Sequence, residues 1–168
     1  IQSCDLATVI GQRDAAMLSV LFGGGLRRSE IVALDLASYD AANGMLRVEG
    51  KGRRQREVPL PDGARAALDD YLRVRGLAPG PLFQSTVGRR PGTRMDGQNV
   101  LLLIRRTAKR AGVRDVRPHD MRRTYATTLL DGDTDTLTVS KLLGHQSPVT
   151  TAMYDRRGIT AAQRAVQG

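Results

Sequence analysis

Between Ser38 and Pro59 the hydrophobic pattern changes its period, and that change limits the folds open to this chain. On either side, apolar residues recur at intervals of three and four, which gathers them on one face of a helix. Inside the block, Met45-Leu46-Arg47-Val48 reads as a strand and Glu57-Val58-Pro59 closes a return strand. Asn43-Gly44 supplies the residue pair that a tight hairpin turn takes, because both positions tolerate positive φ. A second turn, Gly50-Lys51-Gly52-Arg53-Arg54-Gln55-Arg56, sets Lys51 at a hairpin tip between two glycines. The pattern predicts an α+β fold, predominantly helical, with a small antiparallel sheet of about three strands inserted among the helices.

The helices are marked by their stops. Asp14 to Phe22 has helical spacing and meets Gly23-Gly24-Gly25. Leu26 to Leu34 turns Leu26, Ile31 and Leu34 inward and leaves Arg27 and Glu30 three apart on a neighbouring face. Pro61-Asp62 opens a helix carrying Ala66, Ala67, Leu68, Tyr71 and Leu72 to its stop at Gly76. Pro79 to Gly97, rich in glycine and proline, reads as a long surface loop bearing Arg89, Arg90 and Arg94. Gln98 to Ala111 turns Val100, Leu101, Leu103, Ile104 and Ala108 inward and presents Arg105, Arg106, Lys109 and Arg110 outward. His119 to Leu130 follows Pro118 and offers Met121, Tyr125, Leu129 and Leu130 to the core. The alternating acids from Asp131 to Asp135 resemble the start of a calcium loop. Its sixth and twelfth positions would be Thr136 and Leu142 rather than glycine and glutamate, so they are read as a turn. Asp135 or Thr136 then caps a helix from Leu137 to Leu143, and Gly144 ends it with His145 just beyond.

Charge narrows the partner. Twenty-six Lys+Arg against 17 Asp+Glu give +9 over 168 residues, a balance suited to a polyanion, with nucleic acid favoured over a membrane surface. No apolar run approaches the roughly 20 residues that span a bilayer, and the N-terminus has no secretory pattern, so a cytoplasmic protein is expected. Cys4 has no second cysteine to pair with, which excludes an internal disulfide and a cysteine-based zinc site. One domain over 1–168 is expected, and the initial Ile suggests a piece of a longer protein.

The chemistry gathers between Arg117 and Tyr154. Both histidines of the chain, His119 and His145, lie there with Arg122 and Tyr154, and a helix opened by His119 would carry Arg122 on the same face. Singly, each group has an ordinary reading: Arg27 in a surface ion pair with Glu30, Lys51 in a solubilising turn, His145 as a helix cap, Tyr154 as a packing residue. Together they resemble the catalytic domain of the tyrosine recombinases, the phage-integrase family, from about Asp14 to Tyr154. The resemblance rests on Gly-Leu-Arg-Arg-Ser-Glu at 25–30, Val-Glu-Gly-Lys-Gly at 48–52, Pro-His-Asp-Met-Arg-Arg-Thr at 118–124, Leu-Leu-Gly-His at 142–145 and Thr-Thr-Ala-Met-Tyr at 150–154.

That resemblance implies roles. Tyr154 is the nucleophile, Arg27 and Arg122 are the phosphate-holding arginines with Glu30 in support, His119 and His145 act beside them, and Lys51 is the acid for the departing sugar oxygen. A tyrosine hydroxyl has an ordinary pKa of about 10, so a neutral solution ionises about one in a thousand and the site must help. Guanidiniums on the phosphoryl oxygens supply electrostatic stabilisation where charge develops. Arg123 stands where the family frequently has histidine. Neither a metal nor ATP is required, and Gly23-Gly24-Gly25 lacks the Gly-Lys-Ser/Thr of a nucleotide loop. No cofactor is therefore expected.

The implied partner is double-stranded DNA bound by a homo-tetramer. Arg53, Arg54, Arg89, Arg90, Arg94, Arg105 and Lys109 are the candidate contacts to its backbone. The family's separate N-terminal DNA-binding domain has no counterpart in this sequence, and residues 155–168 read as a tail. Two other readings compete: DNA relaxation by the same chemistry, as in a type IB topoisomerase, and a non-catalytic DNA-binding relative.

Overall fold

A computed structural model describes residues 4–50, 52, 54–86, 91–114, 116–145 and 148–155. Helix α1 (Val9–Gly24) runs through the middle, starting where the Thr8 hydroxyl accepts the Gly11 N–H at 3.0 Å. It is buried along most of its length, with Met17, Val20 and Leu21 fully enclosed, because α3 (Asp62–Arg75) and α5 (Pro118–Asp131) pack on it. Its start at Val9 rather than Asp14, and its passage through Gly23 and Gly24, differ from the expected stop. The chain turns only at Gly25, whose φ of 57° is left-handed.

Helix α2 (Arg28–Ala33) follows at once, and a 3-10 turn (Leu36–Ser38) leads into the sheet. Strands β1 (Tyr39–Asp40), β2 (Met45–Glu49) and β3 (Gln55–Pro59) pair antiparallel in the order β1-β2-β3, as the period change predicts. The register sets Leu46 opposite Val58 and Val48 opposite Arg56. Because alternate residues share a face, Leu46, Val48 and Val58 enter the core and bring Arg56 in with them.

In the stretch from Pro79 to Gly97 the described residues form a loop, as expected, but one anchored in the core. Leu82, Phe83 and Met95 are buried, and Phe83 stacks on Tyr71 with ring centroids 5.9 Å apart. A short bridge from Asp35 to Pro81 pins it to the body, and another from Gln84 to Arg94 closes it on itself. Three large apolar side chains give it a reason to pack that glycine and proline content hides.

Helices α4 (Gly97–Arg110), α6 (Thr136–Leu143) and α7 (Pro148–Ala152) complete the order. Asp135 caps α6 by accepting the Thr138 N–H at 2.9 Å. The main core extends from α1 to Met121, whereas Ala126, Leu130, Val139 and Leu143 form a second, smaller cluster on which Tyr125, Leu129 and Tyr154 pack. Helix α5 joins the two, contributing Met121 to one and Ala126 and Leu130 to the other. Among the described residues no helix is long and apolar enough to cross a membrane.

Candidate active site

At the start of α2, Arg27 and Glu30 form a capping pair. The Arg27 backbone N–H donates to Glu30 Oε2 at 2.8 Å and Arg27 Nη1 donates to Oε1 at 2.7 Å. Leu26 and Ile31, both in the core, hold this turn down, which buries Glu30 to 4% exposure while the Arg27 side chain stays 41% exposed. The pair is therefore more than the solvated ion pair of its ordinary reading.

A third residue completes it. Arg56 on β3 donates from Nη1 and Nη2 to the two Glu30 oxygens, each at 2.9 Å, and from Nε to the Leu142 carbonyl at 2.8 Å. Burial alone would raise the Glu30 carboxyl, but the Arg56 side chain and the Arg27 backbone outweigh it and hold Glu30 at about 2.

Arg122 lies one turn into α5 and is 2% exposed. Its Nη1 donates to the Gly25 carbonyl at 2.7 Å, its Nη2 donates to the Leu143 carbonyl, and Nη1 stands 4.0 Å from Glu30 Oε2. Gly25 is demanded there twice over. Its backbone is left-handed, and an added Cβ would lie 2.3 Å from Tyr125 Cδ1. Burial, then the Arg27 charge, pull Arg122 down to about 10, which leaves it a cation at neutral pH.

His145 follows the left-handed Gly144, whose φ is 63°. The His145 Nδ1 lies 2.8 Å from Thr151 Oγ1. That contact fixes the ring and turns Nε2 away from Thr151. Burial, then the charges of Arg122, Arg27, His119 and Arg56, push His145 down to about 4. Tyr154 sits past the end of α7, where its N–H donates to the carbonyl of the same Thr151 at 2.9 Å. Its hydroxyl lies 3.1 Å from His119 Nε2, and its ring centroid is 6.4 Å from His119 and 6.3 Å from His145. A phenol thus faces an imidazole nitrogen close to the Arg122 guanidinium.

Of the expected site residues, the structure brings together Arg27, Glu30, His119, Arg122, His145 and Tyr154. Lys51, Arg53, Arg89 and Arg90 lie outside the described residues. Arg54 is exposed near the hairpin tip, its carbonyl accepting the Gly50 N–H at 2.8 Å. Arg94 is occupied otherwise than expected. It pairs with Asp35 at 2.5 Å and donates to the Val32 and Leu34 carbonyls at 2.6 and 3.1 Å, closing the C-terminal end of α2. Arg105 and Lys109 are exposed on α4 and line a recess of about 620 Å³ with Arg114 and Arg117. Sequence reading missed Arg56, whose inward parity two residues before Val58 was the available signal, and Thr151.

The chain belongs to the phage integrase family, the tyrosine recombinases, whose model matches residues 2–158. Tyrosine recombinase XerC of Corynebacterium glutamicum is 41% identical over 145 residues, covering 84% of this chain and 46% of that protein. XerC of Myxococcus xanthus is 39% identical over 159 residues, covering 89% of this chain and 52% of that one. The crystal structure of XerA recombinase matches with a TM-score of 0.78 at 30% identity over 93% of this chain and 57% of that one. XerH, in a post-cleavage complex with a palindromic difH substrate, matches with a TM-score of 0.79. At 21% identity over 99% of this chain and 49% of that one, it speaks for the fold alone. The chain spans about half the length of the curated relatives it matches.

Proposed function

We propose that this chain is the catalytic domain of a site-specific DNA recombinase that cuts and rejoins strands through a 3′-phosphotyrosine link. The observation that carries the reading is the Tyr154 hydroxyl held 3.1 Å from His119 Nε2, next to the buried Arg122. As Tyr154 Oη bonds to the phosphorus, its proton passes to His119 and the bond to the 5′ oxygen breaks. Arg27, Arg122 and His145 hold the phosphoryl oxygens as charge accumulates. Lys51 protonates the departing 5′ oxygen, and the 5′-hydroxyl of a partner strand later reverses the attack. Bond energy is kept in the phosphotyrosine, so neither metal nor ATP enters.

The same reading makes duplex DNA the partner, with a homo-tetramer exchanging strands and residues 155–168 acting as a tail that positions Tyr154. Arg53, Arg54, Arg89, Arg90, Arg105 and Lys109 are the proposed backbone contacts. Integration or excision of a mobile element in the bacterial cytoplasm is the proposed setting. In support, a Tn1549 transposon integrase in complex with circular intermediate DNA shares the fold at a TM-score of 0.75 and 21% identity.

The test is a nicked suicide duplex, selected from a random-sequence library by adduct capture, incubated in chelator with the protein or with Tyr154→Phe. A denaturant-resistant adduct formed only with Tyr154 present is the expected result. DNA binding with no adduct from any library duplex would overturn it.

A further inference from the structure

The geometry points to Arg56 as the positioning residue of this site: one guanidinium that fixes Glu30, and through it Arg27, against the turn that carries His145. The inference deepens the strand-cleavage reading and rests on it. Each Glu30 oxygen accepts one bond from Arg27 and one from Arg56, so the carboxylate plane is set by both partners. Arg27 spends one terminal nitrogen on that carboxylate and keeps a partly exposed fork, which Glu30 aims. Any roll of Glu30 rolls Arg27 with it. Arg56, whose side chain is only 11% exposed, is the part of the pair that does not face solvent.

The other half of the argument lies at the end of α6. Terminal helix carbonyls carry partial negative charge and want donors. Two successive ones are taken by arginines, Leu142 O by Arg56 and Leu143 O by Arg122. Gly144 comes next, and an added Cβ would lie 3.1 Å from Arg56 Cδ, so the backbone runs close against this side chain. His145 follows. Arg56 therefore spans the gap between the helix start that presents Arg27 and the helix end that presents His145, two groups meant for the same phosphate. It does so with three donors in a rigid plane, a geometry that a lysine ammonium cannot reproduce. A buried ion pair serving only the fold needs no such bridge between the two phosphate-facing turns.

The experiment compares the full chain with Arg56→Lys and Arg56→Gln on the library-selected suicide duplex. It measures DNA affinity, single-turnover cleavage at saturating DNA, thermal midpoint and the titration of the two histidine rings by NMR. Arg56→Lys is expected to fold and to bind DNA within about twofold of the parent, yet to cleave about tenfold to a hundredfold more slowly, as for ligands displaced by an ångström. Its charge is kept, so an upward move of the His145 titration reports the lost tie to Leu142. Arg56→Gln should lose at least as much rate and move His145 further.

Cleavage by both variants within about twofold of the parent, or a rate loss that only follows loss of folded protein, overturns the inference and leaves the strand-cleavage reading standing. No adduct from the parent chain overturns the strand-cleavage reading. The histidine titration needs no DNA, and a His145 titration unchanged in both variants then removes Arg56 as well.

Discussion

Among the described residues, two buried carboxylates are each gripped by two arginines, and only one of them belongs to the candidate site. Asp14, 3% exposed, accepts from Arg13 at 3.0 and 2.6 Å and from Arg106 at 2.6 Å. Arg13 also reaches the Gln84 carbonyl and the Thr86 hydroxyl, so the cluster ties α1, α4 and the 84–86 segment together. Glu30, 4% exposed, is held just as fully by Arg27 and Arg56. The difference is a third guanidinium. Arg122 comes within 4.0 Å of Glu30 while its own nitrogens are bound to carbonyls rather than to an acid. The excess positive charge thus sits beside Tyr154, in position to attract an anion. The same ionic chemistry closes one region and leaves the other with positive charge to spare.

Five measurements would break or sharpen that contrast. The largest effect is expected at the proposed nucleophile, where Tyr154→Phe should abolish the covalent adduct in a denaturing gel while DNA binding persists. Next, Arg122→Gln should slow single-turnover cleavage about a hundredfold or more, the usual cost of losing a group that stabilises developing charge. Asp14→Asn should do the reverse. It should lower stability by about 3 kcal/mol in urea unfolding, since the buried Arg13 loses its compensating carboxylate charge, with cleavage by the folded protein unchanged. Equal catalytic losses in the two variants would erase the distinction between the clusters.

The fourth measurement is the pH dependence of stability. His145 sits near 4 in the folded protein against an ordinary 6.5, so between those values the unfolded chain binds the extra proton. Its contribution is complete above about 6.5 and is lost as pH falls to about 4. Glu30 is held near 2 against an ordinary 4.5, so its contribution is complete above about 4.5 and is lost as pH falls to about 2. Thermal midpoints should therefore drop in two successive stages on acidification, and His145→Asn should remove the upper one. The smallest effect is expected for Thr151→Val, which deletes the contact to His145 Nδ1. A loss of about tenfold in cleavage rate, restored by Thr151→Ser, would mark the hydroxyl rather than the packing of Thr151 as what holds the ring.

Much of the fold was readable because its punctuation is local. Asn43-Gly44, Gly76 and Gly144 each stand where a turn or helix end falls, and Leu46, Val48 and Val58 alternate into the core as a half-buried sheet requires. The candidate set around Tyr154 was readable for another reason, since its motifs keep order and spacing along the chain. What escaped was non-local. Arg56 lies within a basic run that looks like a solvated turn, and only its register opposite Val48 turns it inward. Leu82, Phe83 and Met95 are too scattered to show a period, yet packing on Tyr71 and the neighbouring core fixes them. Arg94 was read as a surface cation because nothing in sequence connects it to the end of α2, about sixty residues earlier.

The bonds that hold Arg122 and Arg56 cross long stretches of chain: 97 residues from Arg122 to Gly25 and 86 from Arg56 to Leu142. A nascent chain not yet extended to Leu142 has most of its basic residues but neither of the α6 carbonyls that hold these arginines, and Tyr154 has yet to be made. Closing such distant contacts is slow compared with forming the helices themselves. The candidate site thus cannot close until α6 has been made, late in the synthesis of the chain.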